Sequence, residues 1–160
     1  MGIDVGTTYT AAAVWRYGRA EIASLGTHGA TIPTVVLVRD DFTVLTGESA
    51  VRRSVTEPER VAREFKRRVG DPAPLLLGGS PWSAESLLAE MLKAVVAHVS
   101  TEQGEAPERV VVTHPANWGP YKLDLLRQAV RQADLPATEL LSEPEAAAVH
   151  YASTERVEPG

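Results

Sequence analysis

Apolar residues along the first part of the chain come in short runs broken by polar turns. Gly2–Val5 is short and apolar, and Gly6-Thr7-Thr8 reads as a turn. Thr10–Trp15 and Ala20–Leu25 then flank a Gly-containing segment, Arg16-Tyr17-Gly18-Arg19, as in a β-hairpin. Thr34–Val38 is β-branched, follows Pro33 and precedes Asp40-Asp41; Val44–Thr46 is its expected hairpin partner. From there helical patterns take over. Gly47–Val55 predicts a short helix. Val61, Phe65 and Val69 recur every four residues, which predicts a helix from an N-cap at Thr56, through Pro58 and Glu59 in its first turn, to a stop at Gly70. The Pro- and Gly-rich stretch Asp71–Pro81 predicts a loop. Ser83 then caps a longer helix to about Gln103, with Leu87, Leu88, Met91, Val95 and Val99 on its inner face.

The last third alternates. Arg109–Thr113 is a continuous Val-rich run, which predicts a strand covered on both faces. Gly119–Ala133 reads as an amphipathic helix with Leu123, Leu126, Val130 and Ala133 inward. Glu139–Leu141 reads as a strand, and Pro144–Tyr151 as a further helix. Such an order predicts an α/β fold, a mixed sheet flanked by helices with a small inserted α+β subdomain. The expected partition is a core of residues 1–31 and 104–152, an insertion at 32–103 and a tail at 153–160.

Composition narrows the classes. Of the 160 residues 44% are hydrophobic and 23% charged, enough apolar material for a sizeable core. The net charge of −5, with no basic stripe, argues against a nucleic-acid partner, since phosphate contacts need clustered Lys and Arg. No apolar run approaches the length of a membrane span. Cysteine is absent and the first residues lack a secretory pattern, so the expected location is the cytoplasm. His28, His98, His114 and His150 have no metal-ligand spacing. Trp15, Trp82 and Trp118 read as packing residues.

The sharpest chemical signal is Gly2-Ile3-Asp4-Val5-Gly6-Thr7-Thr8-Tyr9-Thr10. A strand delivers Asp4 and a tight turn follows. Gly6 allows close backbone approach to a ligand. Backbone N–H groups and the hydroxyls of Thr7 and Thr8 suit phosphate oxygens, and Asp4 suits Mg²⁺ held through water. No Gly-Lys-Ser/Thr follows, so this is not a Walker loop.

This run resembles the first phosphate motif of the actin-like ATPase (ribonuclease H-like) superfamily, and most closely that of the seventy-kilodalton heat-shock chaperones (DnaK-like). Three later segments resemble the same family in the same order: Phe65-Lys66-Arg67-Arg68-Val69-Gly70, Val111-Val112-Thr113-His114-Pro115-Ala116-Asn117-Trp118, and the run from Leu141-Ser142-Glu143-Pro144-Glu145 to Tyr151. The resemblance implies one lobe of a two-lobed domain that binds ATP or ADP with Mg²⁺ in the cleft between lobes. It implies Lys66 as the catalytic lysine, Glu143 as a cleft carboxylate, Gly6, Thr7, Thr8 and Tyr9 as nucleotide contacts, Asp4 as the Mg²⁺ carboxylate through water, and Pro115 as a switch proline. The implied partners are a second lobe of the same protein, co-chaperones and client polypeptide. The implied ATPase belongs to a longer parent protein, and the chain alone is expected to be inactive. Two departures stand out: only a short loop is expected between Gly70 and Ser83, and Leu123 stands where the family carries a relay Arg. The alternatives are a non-enzymatic nucleotide sensor or interaction module of the same fold and, more distantly, a sugar kinase of the superfamily.

Overall fold

The structure, a computed structural model, describes residues 1–146; the rest of the helix expected over Pro144–Tyr151, and the expected tail, lie outside the described residues. In chain order the strands are β1 (Gly2–Val5), β2 (Tyr9–Arg16), β3 (Arg19–Ile22), β4 (Ile32–Pro33), β5 (Val35–Val38), β6 (Val44–Thr46), β7 (Val61–Arg63), β8 (Leu75–Leu77), β9 (Ser80–Trp82), β10 (Arg109–His114) and β11 (Ala137–Ser142). The α-helices are α1 (Gly47–Ser54), α2 (Ala84–Gln103) and α3 (Pro120–Ala133).

A mixed sheet in the order β11-β10-β1-β2-β3, with β4 also on β2, forms the main layer. β1, β10 and β11 run parallel, whereas β1, β2 and β3 form an antiparallel meander. Strand residues alternate between faces. Ile3, Val5, Ala12, Val110 and Val112 are almost wholly buried, in one core with Leu87, Leu88, Met91 and Leu126 from α2 and α3. Their neighbours Gly2, Ala11, Ala13, Val111 and Thr113 are only half-buried. The Val-rich run of β10 is therefore covered on one face among the described residues, where two covered faces were expected. The strand sealed on both sides is β5: Val35 and Leu37 pack with Ala50 of α1, and Val36 and Val38 join the main core.

Capping fixes the long helix. The Ser83 side chain accepts from Ser86 N–H, and Gly104 ends α2 in the left-handed region that a glycine adopts without strain. In α3 the residues that become fully buried are Leu125, Leu126, Ala129 and Ala133; Leu123 and Val130 stay half-buried. Trp15 is 62% exposed and is not a core residue, while Trp82 and Trp118 pack against the core.

The segment 56–70 departs most from expectation. In place of an α-helix it forms a 3₁₀ turn at Pro58–Arg60, strand β7, and a second 3₁₀ turn at Phe65–Arg68. β7 completes a three-stranded sheet with β5 and β6, pairing Val61 with Leu37 and Arg63 with Val35. Val61 packs with the α1 cluster while Phe65 and Val69 enter the main core. Their four-residue spacing thus reflects two cores met in succession, not one helical stripe. Glu64, at φ 51°, makes the turn between them.

Asp71–Pro81 is likewise no loop. β8 and β9 form a hairpin around Gly78-Gly79, both at positive φ, as a two-residue turn of the primed type demands. The hairpin is tied back by Gly78 N–H donating to the Glu59 carbonyl at 2.9 Å. The expected shortening of this region is corrected accordingly: it contains strands.

Two contacts join the inserted sheet to the main one beside the Gly6–Thr8 turn. Thr34 N–H donates to the Thr8 carbonyl at 2.9 Å. The hydroxyls of Thr10 and Thr34, 0% and 1% exposed, bond each other at 2.8 Å. Thr10→Val should destabilise the fold by about 1–3 kcal/mol, because it strands the Thr34 hydroxyl in the core. Thr10→Val with Thr34→Val should recover most of that loss, since no polar atom is then left unpaired. Urea denaturation of the wild type, both single variants and the double variant measures the coupling; additive losses would contradict it.

The loop after β3 is held by Glu48, which accepts from Thr27 N–H at 2.8 Å and from the Thr27 hydroxyl at 2.7 Å. These bonds favour the ionised form and hold the Glu48 carboxyl below its ordinary range. A depressed native pKa stabilises the fold above the unfolded-state pKa, and the contribution fades as the pH falls through the native one. Glu48→Gln should therefore lower Tm near neutral pH, with the gap to wild type closing in acid. Thermal melts from about pH 7 to about pH 3 check this; a gap independent of pH would contradict it.

Candidate functional site

The carboxyl ends of the parallel strands β1, β10 and β11 lie side by side, which is where open α/β sheets bind ligands. Asp4 sits near the end of β1 with its carboxylate exposed, accepting a hydrogen bond from the Thr113 hydroxyl of β10 at 3.2 Å. At the end of β11 Ser142 forms an N-cap: Glu145 N–H donates to the Ser142 hydroxyl at 3.3 Å, and that hydroxyl donates to the Glu145 carboxylate at 2.8 Å. The cap starts the helical turn at 143–146 and puts Glu143 at its first position.

Lys66 reaches the same region from the second 3₁₀ turn. It is 8% exposed, and its Nζ lies 3.3 Å from Glu143 Oε1. Its stem shares a small cavity with Val5, Thr113 and Trp118, walled by Leu88 and Leu92. Nζ stands 5.9 Å from the Trp118 ring centroid, a cation–π distance. The structure thus brings together Lys66 and Glu143, 77 positions apart in sequence, and places Lys66 in one cavity with Thr113, whose hydroxyl bonds Asp4.

The turn after β1 is closed by Gly6 N–H donating to the Tyr9 carbonyl at 2.9 Å. A Cβ on Gly6 would fall 2.5 Å from that carbonyl oxygen, so only glycine fits. Thr8 and Tyr9 are exposed and Thr7 half-buried. Among the described residues the Thr7 and Thr8 hydroxyls make no bond to protein, which leaves them open to a ligand. The Tyr9 side chain is largely exposed to solvent. Pro115 follows β10 and is half-buried; its carbonyl accepts from Trp118 N–H at 3.2 Å.

Two residues at this site were not read from sequence as site residues. Thr113 is legible only once β1 and β10 are known to be adjacent. Trp118 looks like any packing aromatic until Lys66 is placed beneath it. A larger cavity of about 560 Å³ lies at the opposite end of the strands, near Trp15, Arg16, Gln103 and Arg109. It contains none of these groups, and its Arg16 is already engaged by Gln103 and Glu105. Among the described residues no cluster of His, Asp and Glu could by itself cage a metal ion, and no helix is long and apolar enough to cross a membrane.

A mixed sheet with helices on one face, a small inserted sheet, and an acid and a Gly-Thr-Thr turn at the strand ends form a lobe of the actin-like ATPase type. The family model described as "Hsp70 protein" matches residues 1–74. The chain is 35% identical over 157 residues to the chaperone protein DnaK of Elusimicrobium minutum, covering 94% of this chain and 25% of the relative. It is 32% identical over 157 residues, with the same coverage, to the chaperone protein DnaK of Endomicrobium trichonymphae. The family model thus matches the first part of the chain, and the similarity to these chaperones runs along nearly all of it. The chain spans about a quarter of the length of these relatives, 25% of each.

Gly6→Ala should force the turn open, at a cost of about 1–3 kcal/mol, the scale for an added methyl with no room. Amide hydrogen exchange at Gly6 should accelerate while exchange in α2 changes far less. Unchanged protection at Gly6 would contradict the close approach.

Proposed function

We propose that this chain supplies one wall of an ATP site and that, within a longer protein, it takes part in ATP hydrolysis driving a conformational switch. The observation that carries the reading is the pairing of Lys66 with Glu143 near Thr113 and Asp4 at the strand ends, with a turn after β1 whose hydroxyls make no bond to protein among the described residues. A lone exposed lysine would suggest a solvated cation. A nearly buried lysine, paired with a half-exposed carboxylate at the end of a parallel strand, suggests a charge held ready for an anionic substrate.

The roles follow from chemistry. Backbone N–H groups of the Gly6–Thr8 turn, with the Thr7 and Thr8 hydroxyls, hold phosphate oxygens. Lys66 offsets the charge that builds on the γ-phosphoryl oxygens as water attacks in line, forming the new P–O bond while the bond to the leaving diphosphate breaks. Glu143 orients that water and sets the position of the Lys66 ammonium. Asp4 fits a Mg²⁺ site: it is an exposed carboxylate with hard oxygen donors, held by Thr113, and lacks the neighbouring ligands of an all-protein cage. It would hold the ion through water, and the ion would supply charge neutralisation on the phosphates. Tyr9, exposed at the turn, is the candidate for contact across the cleft, and Pro115 the candidate switch. Co-chaperones and client polypeptide are the partners this reading proposes for the longer protein, in the cytoplasm. The sensor-only reading is not favoured, because the matched relatives bear the name of a chaperone.

In the longer protein, Lys66→Ala should lower kcat on the order of 10²-fold, the scale for losing one preorganised charge donor. Nucleotide affinity should fall much less. Steady-state kinetics with a titration of nucleotide binding tests this; unchanged kcat with a raised KM would make Lys66 a binding residue only.

A further inference from the structure

The ion pair alone leaves the Lys66 ammonium poorly held. Its carboxylate partner is 45% exposed on the side chain, and the contact of 3.3 Å involves one oxygen. The rest of its surroundings are apolar, with Leu88, Leu92 and Leu126 lining the cavity around the stem. A cation in such walls needs a further electrostatic partner or it swings out toward water. The Trp118 ring, with its centroid 5.9 Å from Nζ, supplies one, and indole is the strongest of the aromatic faces. The ring packs against the main core, and the backbone that carries it is fixed by Trp118 main-chain N–H donating to the Pro115 carbonyl at 3.2 Å.

We propose that Trp118 is a positioning residue for Lys66, holding the ammonium at the cavity mouth beside Glu143; the inference rests on the role proposed above for Lys66. Trp118 touches no reacting atom in this scheme. Without the ring face, Lys66 keeps its charge but loses its fixed direction. Transition-state stabilisation then falls while ground-state nucleotide binding, shared with the Gly6–Thr8 turn, is largely kept.

The chain offers a direct readout, because lysine occurs only at positions 66, 93 and 122. In NMR spectra of the nucleotide-free chain, the lysine side-chain signals that vanish in Lys66→Arg should lie upfield through the indole ring current. They should return to the ordinary position in Trp118→Leu and remain partly shifted in Trp118→Phe. In the longer protein, Trp118→Leu should lower kcat about tenfold, with KM changed by less than about twofold, and Trp118→Phe should restore most of the rate. Absence of a ring-current shift in the wild type would overturn the contact. A shift present with full turnover in Trp118→Leu would overturn the positioning role. Full turnover in Lys66→Ala would instead sink the assignment of Lys66, and the proposal with it. Thermal melts identify a Trp118→Leu protein that fails to fold; Trp118→Phe and the wild-type spectrum then decide the contact.

Discussion

A lysine with only 8% of its surface exposed imposes the central constraint on this chain. Such a charge is tolerated only where opposite charge and polarizable surface compensate the lost water. Supplying that compensation requires three otherwise independent parts to meet. β11 must end in a capped turn, so that Glu143 stands at the strand terminus. β10 must lead through Pro115 into a turn that lays Trp118 over the cation. The inserted region must bend at Glu64, so that Phe65 fills the core while Lys66 faces the strand ends. Each of these is a local backbone event, and each is specified locally: by Ser142 with Glu145, by Pro115, and by a left-handed residue before a 3₁₀ turn.

The inserted sheet is joined to the main layer near the Gly6–Thr8 turn, not at a remote hinge. The Thr34–Thr8 backbone bond is made by a proposed phosphate contact itself, and the Thr10–Thr34 hydroxyl pair stands two residues beyond it. Displacement of the insertion would therefore be felt at the turn first. The same insertion carries Lys66, so the two sides of the proposed phosphate site are parts of a single mechanical unit.

Much of this was legible before the structure. The β2–β3 and β5–β6 hairpins and helix α2 with its Ser83 cap carry short-range signals, turn chemistry and caps, and motif order singled out Lys66 and Glu143, which the fold brings together. What escaped depends on partners far away in sequence. Nothing within residues 56–70 announces that β5 leaves an edge for Val61–Arg63 to complete. The four-residue spacing of Val61, Phe65 and Val69 looks helical because two separate cores happen to be met at that interval. Gly78-Gly79 was a visible hairpin signal, obscured by the prolines around it. Leu125 is buried while Leu123 stays half-buried, because the rotation of α3 against its neighbours is decided by tertiary packing. Trp118 could not be distinguished from a core aromatic, since its significance lies in the cation beneath it.

The pairing of β1 with β10 has a consequence for how the molecule comes into being. Gly2 lies opposite Val111, and the Thr113 hydroxyl reaches back across 109 positions to Asp4. Contacts of such separation form late, because the intervening chain must first surrender its freedom. During synthesis the β1–β2–β3 meander and the small sheet emerge early, with the apolar edge of β1 still waiting for its neighbour. Lys66 is translated well before either Glu143 or Trp118 exists to receive it. The nascent chain therefore carries an unfilled sheet edge and an unpaired cation until its last third leaves the ribosome. This half-built lobe is the form most exposed to mispairing with other chains.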